Sequence, residues 1–343
     1  MKLKDVFSKP TGVYIVAELS ANHNGKYELA AKTIKAMAKS GADAVKVQTY
    51  TPDSLSLDVD NEYFRPKKDG PWKGKRPYDL YRAGSMPWEW QPKLKKVASK
   101  LGLDFFSSPF DLEAVKFLQR EVRPPAYKIA SFEINDLPLI EATAKTKKPV
   151  IISTGLATSK DIKDAIKTCK KVGNDKIILL QCTSQYPASF EQANLSRIPD
   201  MKKRFGVAVG VSDHSPRSLI PTVAVALGAK IVEKHFILDR KLGGPDSSFS
   251  MEPKEFMQMV DAVRQAEASL GRATYEVSNK DLMRRRSLFV TKKIKKDEKF
   301  TQDNIRSVRP GFGLAPKYLG KVLGKRAKSD LKRGTPLSRE HIG

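Results

Sequence analysis

From residue 13 to about residue 270, short β-branched and apolar runs alternate with stretches in which apolar positions recur every three or four residues. The first pattern predicts strands and the second amphipathic helices. The strand runs are VYIVA (13–17), AVKVQ (44–48), LDFFS (103–107), AYKIA (126–130), PVIIS (149–153), KIILLQ (176–181), GVAVGVS (206–212) and KIVEKHF (230–236). Helical stretches fall at 28–40, 88–101, 112–120, 137–145, 160–172, 190–204, 219–227 and 253–270. Start signals stand at Thr158-Ser159 followed by Asp161, and at Ser215 before Pro216. Such alternation implies a parallel sheet, and eight strands suggest that the sheet closes. The expected fold class is therefore α/β, a (β/α)8 TIM barrel.

Two segments break the pattern. Residues 53–87, inside the second strand–helix pair, are rich in Pro, Gly, Lys and aromatic residues without a clear period. Connections of that length in a compact domain are usually functional lids or disordered. After residue 270 a charged, polar stretch leads into short strand-like pieces such as RSLFVT and the turn-rich RPGFGL. The expected organisation is a barrel over 1–270, a linker over 271–286 and a small domain over 287–343.

Composition narrows the class. A chain of 343 residues that is 40% hydrophobic buries a sizeable core. No apolar run approaches the roughly 20 residues needed to span a bilayer, and no secretory leader pattern is seen, so a cytoplasmic protein without membrane association is expected. Cys169 and Cys182 are too few for a disulfide framework and lack thiolate metal-site spacing. The net charge of +25 favours anionic partners. Its clusters at Lys67-Lys68, Arg284-Arg285-Arg286 and 292–299 are not one stripe interleaved with aromatics, so they suit surface solvation better than a nucleic-acid groove.

In a barrel of this type the C-terminal strand ends and the loops after them face the active site. Those positions carry Glu18, Lys46, Lys128, Ser153, the QCTSQYP run, SDHS and EKHF. A lysine buried without an anionic partner is costly. Lys46 and Lys128 either pair with barrel carboxylates such as Glu18 or Glu133, or wait for a bound phosphate or carboxylate; Ser131, Ser153 and Ser212 nearby favour the anion site. His214 and His235 end adjacent strands, where two imidazoles and water can hold one divalent cation. His23 faces either the mouth or a local turn, and His341 is expected to have no chemical role. Glu18, Glu133 and Asp246 are candidates for sugar hydroxyl binding, orientation of metal-bound water or general base work.

The ordered set AELSANHNG, GADAVKVQTY, FFSSPFD, YKIASFEI, STGLA, CTSQYP, GVSDHS, EKHFILDR with GGPDSSFS, RSLFV and SVRPGFGL resembles the sialic acid synthase family over nearly the whole chain. The resemblance implies a (β/α)8 barrel followed by a small antifreeze-like (SAF) domain. It implies an enzyme that condenses phosphoenolpyruvate with an N-acetylated amino sugar. Phosphoenolpyruvate would be held by Lys46, Lys128, Ser131, Ser153, Ser184 and Ser212, and Mn2+ or Mg2+ by His214 and His235. It further implies that Glu18 and Asp246 contact the sugar or metal-linked water, that Glu133 activates the attacking water, and that Arg309 reaches the partner's site in a domain-swapped homodimer. Within the family, ELSANHN and CTSQYPA resemble the pseudaminic acid synthases more than the N-acetylneuraminic acid synthases, which tend to have Asn where this chain has Ser184. The alternatives are an N-acetylneuraminic or legionaminic acid synthase, a Schiff-base barrel aldolase using Lys46 or Lys128, and a polyanion-binding protein.

Overall fold

The strand runs pair in parallel and in chain order: β1 (Tyr14–Glu18), β2 (Ala44–Thr49), β3 (Asp104–Pro109), β4 (Tyr127–Ile129), β5 (Val150–Ser153), β6 (Ile177–Cys182), β7 (Ala208–Asp213) and β8 (Ile231–His235). Pairing of β8 with β1 closes the barrel. This is a computed structural model that describes residues 1–9 and 11–343, and it divides into two units, Met1–Gly271 and Arg272–Gly343.

Successive strand residues point to opposite faces, so each barrel strand is buried on both. One set, with Ile15, Val45, Ile152, Leu179, Val211 and Val232, packs outward against helix residues such as Ile34, Leu94, Ile140, Ile166 and Met259. The other, with Tyr14, Val16, Ala44, Phe106, Ile151, Ile178, Leu180 and Ile231, meets inside the barrel, where Leu3 and Val6 join it. Gly210 belongs to this inner layer: a Cβ there would lie 2.6 Å from the Ile231 carbonyl oxygen and 2.7 Å from Leu180 Cδ2. Continuing the inner alternation along each strand puts Glu18, Lys46, Lys128, Ser153, Cys182, Ser212, Glu233 and His235 on the inner wall above an apolar floor. In register, Glu18 is paired with Lys46 on one side and with His235 on the other.

Most of the expected helices form. Over Ser159–Lys171 the Thr158–Asp161 capping box is present, and Ile162, Ala165, Ile166 and Cys169 make the buried stripe. The helix Leu112–Phe117 widens into a π turn, Leu118–Val122, and stops at Arg123 with φ 50°. Pro124 and Pro125 follow, and a residue before proline disfavours the α region.

Three expectations need correction. The helix expected over 190–204 begins only at Arg197, because the chain before it folds back on the barrel. There the Ala193 carbonyl accepts from Gln181 Nε2 at 3.0 Å, and Asn194 has φ 47°. Ser215 does not start a helix: its N–H and hydroxyl both donate to the Asp213 carboxylate at 2.9 Å, and the next helix is Leu219–Ala226. The 53–87 insertion is not all loop, since Pro52–Leu55 and Pro77–Gly84 are helical.

The second unit has its own core of Leu288, Val290, Ile294, Phe300, Ile305, Val322, Leu331 and Leu337. A two-stranded antiparallel sheet, β9 (Ser287–Val290) and β10 (Ile305–Val308), crosses it. The short helix Asn279–Leu282 falls within this unit, and the Met283 carbonyl accepts from Gly311 N–H at 2.8 Å. Among the described residues no helix is long and apolar enough to cross a membrane.

On the outward face, Lys234 of β8 and its register partner Asp213 of β7 form an ion pair at 2.7 Å, with side chains 1% and 4% exposed. Removing one partner leaves the other charge buried alone, which typically costs ~3–5 kcal/mol. Lys234→Ala is therefore expected to lower unfolding stability by about that amount in urea titration. A loss under about 1 kcal/mol would show that water reaches Asp213 in compensation.

Candidate active site

The inner wall concentrates charge where water is scarce. Lys46 forms an ion pair with Glu18 and lies 3.3 Å from Glu233. Burial opposes the ammonium form of Lys46, but the two carboxylates outweigh it and raise its pKa. Burial pushes the Glu18 carboxyl up to about 7, Lys46 opposing and Glu233 adding to the shift. For Glu233 burial works upward, but Lys46 and Lys128 together pull it below its ordinary value. Of the two readings of Lys46, pairing with barrel carboxylates is thus realised, with Glu233 as the second partner instead of Glu133.

Lys128 is different. It donates to Ser153 Oγ at 2.6 Å and to the Ile129 carbonyl at 3.0 Å, and among the described residues no carboxylate stands within ion-pair distance of it. Burial lowers its pKa, Glu233 only partly opposing. An ammonium satisfied by a hydroxyl and a carbonyl is the natural counter-charge for an incoming anion.

Further serines stand at neighbouring strand ends. Ser131 Oγ accepts from Gly155 N–H at 3.1 Å, and Ser212 Oγ donates to Glu233 at 3.3 Å. Gly155, just after β5, lets the hydroxyls converge: a Cβ on it would lie 2.3 Å from Ser184 Oγ and 2.9 Å from Ser131 Oγ. Glu133 ends the 3-10 turn Ser131–Glu133, with its Oε2 buried and without a hydrogen-bond partner among the described residues. Burial pushes its carboxyl up to about 7, Lys128 opposing.

His214 and His235 meet across the ends of β7 and β8, ring centroids 5.2 Å apart. His214 Nδ1 donates to the Thr183 carbonyl at 3.0 Å, so Nε2 is the ring nitrogen turned away from the backbone; burial works against the charged ring, but Cys182 and the Thr183 carbonyl outweigh it and raise its pKa. His235 Nδ1 is buried with no hydrogen-bond partner among the described residues. Burial, then the charges of His214, Lys46, Lys234 and Lys128, hold His235 well below its ordinary pKa, so it is neutral at neutral pH. No cluster of three or more His, Cys, Asp or Glu is placed for a metal among the described residues. The pair fits a divalent cation that takes its remaining ligands from water or substrate.

Loop residues complete the rim. Asp246 Oδ2 accepts from the Ser20 hydroxyl, which in turn accepts from Gln48 Nε2 at 3.1 Å; burial raises the Asp246 pKa while Ser20 opposes. The Tyr186 ring lies 4.2 Å from that of His214, tilted by 43°, and Phe249 lies 5.1 Å from His235. Trp72, from the insertion, packs 5.4 Å from Tyr186.

Other candidates stand elsewhere. His23 is buried edge-on against Trp90 and accepts from Gly25 N–H at 3.1 Å, which is the turn reading. Arg309 is exposed in the second unit, beside a cavity of about 420 Å³ that Lys292, Arg306 and Arg333 also line. His341 accepts from Ser338 N–H at 3.1 Å in a local cap. Residues that the sequence reading missed are Glu233, Gln48, Ser20, Tyr186, Phe249 and Trp72. Glu233 and Gln48 were within reach, two positions from His235 and Lys46 on the same strand faces; the loop residues carried no such period.

Over residues 33–275 the chain matches the NeuB family. The chain belongs to the NeuB family. Residues 285–343 match the SAF domain, in agreement with the expected barrel followed by an antifreeze-like domain. This NeuB chain is 48% identical to the pseudaminic acid synthase of Campylobacter jejuni across 96% of its length and 97% of that protein. It is 36% identical to the N,N'-diacetyllegionaminic acid synthase of Legionella pneumophila across 97% of each. The crystal structure of a spore coat polysaccharide biosynthesis protein of Bacillus subtilis is similar, with a TM-score of 0.66 at 35% identity over 98% of this chain and 96% of that one. NeuB-family members use a divalent metal, the group that the two imidazoles fit.

Gly155→Ala is expected to keep the fold and weaken phosphoenolpyruvate binding at least roughly tenfold, since the new methyl occupies the space where Ser131 and Ser184 converge. Isothermal titration checks this; unchanged affinity would remove the serine cradle from the anion site.

Proposed function

We propose that this chain is a pseudaminic acid synthase, condensing phosphoenolpyruvate with 2,4-diacetamido-2,4,6-trideoxy-altrose and water to give pseudaminic acid and phosphate. The observation that carries the choice of sugar is the identity gradient: 48% to a pseudaminic acid synthase against 36% to a legionaminic acid synthase, each over nearly full length.

In this reading Lys128 and Lys46, with Ser131, Ser153, Ser184 and Ser212, hold phosphoenolpyruvate in one orientation on the inner wall. Lys46 turns part of its charge to the ligand as Glu18, with its carboxyl near pKa 7, takes up a proton. His214 and His235 would hold Mn2+ or Mg2+, which would supply Lewis-acid polarisation of the acceptor aldehyde. The enol C3 attacks the aldehyde carbon, and the carbonyl electron pair leaves an oxygen that takes a proton. Glu133 accepts a proton from the water that adds at C2, balancing the proton taken by the new hydroxyl; the C2–O bond to phosphate then breaks as the C2 hydroxyl gives its proton to the leaving phosphate, and the keto acid remains. Asp246 and Glu18 hold the sugar hydroxyls. Arg309 of the partner subunit completes the site in a domain-swapped homodimer. A cytoplasmic location accords with phosphoenolpyruvate as the donor and with two unpaired cysteines.

The test is phosphate release with Mn2+ and phosphoenolpyruvate, comparing the altrose derivative with N-acetylmannosamine and its 4-acetamido-6-deoxy relative. Release with the altrose derivative alone is expected. Release with a mannose-type sugar instead would change the product, and release with none would refute the synthase reading.

The pH profile tests Glu133. With its carboxyl near pKa 7, it is a base only when deprotonated, so kcat/KM is expected to fall as pH drops through about 7. Glu133→Gln should lose most turnover and that acid limb together; retention of the limb would assign it to another group.

A further inference from the structure

The 53–87 insertion brings Trp72 to the barrel mouth and ties it there. Its indole N–H donates to the Pro245 carbonyl at 2.8 Å, one residue before Asp246. Its ring lies 5.4 Å from Tyr186 and 6.3 Å from Phe249, which are themselves 4.9 Å apart. Those two rings continue onto the histidine pair, Tyr186 at 4.2 Å from His214 and Phe249 at 5.1 Å from His235. The result is an unbroken aromatic surface running from the insertion to the imidazoles. An indole has one donor and no acceptor. With that donor engaged by Pro245, Trp72 has only apolar ring surface to offer a ligand.

We infer that Trp72 is the residue that sets acceptor specificity. Its ring, with Tyr186 and Phe249, is the apolar wall against which an acceptor places a methyl and an acetamido group. The inference rests on the synthase activity proposed above and assigns its selectivity to one side chain. A 2,4-diacetamido-2,4,6-trideoxy sugar carries a methyl at C6 and an acetamido group at C4, whereas N-acetylmannosamine carries hydroxyls at both. Methyl groups gain from burial against such a wall. A hydroxyl set against the Trp72 ring, whose one donor is already engaged by Pro245, loses hydrogen bonds to water that the ring does not replace. Apolar pockets reject an analogue that only adds a hydroxyl by roughly 100-fold, which sets the scale of discrimination to expect.

The test uses the full-length protein with Mn2+ and measures phosphate release for wild type, Trp72→Ala and Trp72→Phe. Both substrates are varied, and the altrose derivative is compared with N-acetylmannosamine. Trp72→Ala is expected to raise KM for the altrose derivative by about tenfold and to lower the preference over N-acetylmannosamine by a similar factor. KM for phosphoenolpyruvate should stay within about twofold, because Lys128 and the serines are untouched. Trp72→Phe keeps an apolar ring without the N–H and should retain most of the preference. Unaltered acceptor KM and preference in Trp72→Ala would overturn the assignment. So would an equal rise in both KM values, which marks a general collapse of the mouth. Failure of the wild type itself to use the altrose derivative would instead refute the proposed activity, so the two failures are distinguishable.

Discussion

An ammonium group on a barrel strand cannot be left without a counter-charge, and the way Lys46 and Lys128 meet that demand organises the whole mouth. Lys46 is neutralised from both sides by Glu18 and Glu233. Stripping one partner from a buried pair of this kind costs about 3–5 kcal/mol, because the charge left behind is buried alone. Lys128 has only a hydroxyl and a carbonyl. The fold thus tolerates one under-compensated cation, the counter-charge that the proposed anion site requires. Binding energy and relief of a buried charge become the same quantity.

That charge layer depends on what lies beneath and around it. Below it, Val16, Ala44, Phe106, Ile151, Leu180 and Ile231 fill the barrel and exclude water. Outside it, the strands present a second apolar face to the surrounding helices. Low polarity strengthens each ion pair and also penalises each charged carboxylate, so burial pushes Glu18, despite Lys46, and Glu133 both up to about 7. Carboxyls poised there change protonation near physiological pH, which suits groups that must adjust to an arriving anion or accept a proton from water. Burial that shifts Glu133 by desolvation also leaves its Oε2 without a hydrogen-bond partner among the described residues.

The histidine pair depends on loops as well as strands. His214 is oriented by the Thr183 carbonyl and covered by Tyr186, both in the segment after β6. Asp213 and Lys234, facing outward behind the two imidazoles, lock the turn through Ser215. Strand ends therefore supply the chemical groups, and loops supply their orientation and their apolar roof.

The alternation of apolar runs and amphipathic stretches was enough to determine eight strands, most of the helices and the change of character after residue 270. Period two along a strand is backbone geometry, readable from neighbours, and it put Glu18, Lys46, Lys128, Ser153, Ser212 and His235 on one wall. The segment 190–196 failed as a helix because its backbone bonds are taken by the barrel, through contacts such as Gln181 to Ala193. Which carboxylate neutralises which lysine, and that Trp72 should meet Pro245 across 173 positions, were decided by tertiary structure alone. Only closure of the barrel brings β8 beside β1 and the insertion over the mouth, so those pairings have no local signature: they depend on distances in space between residues far apart in the chain.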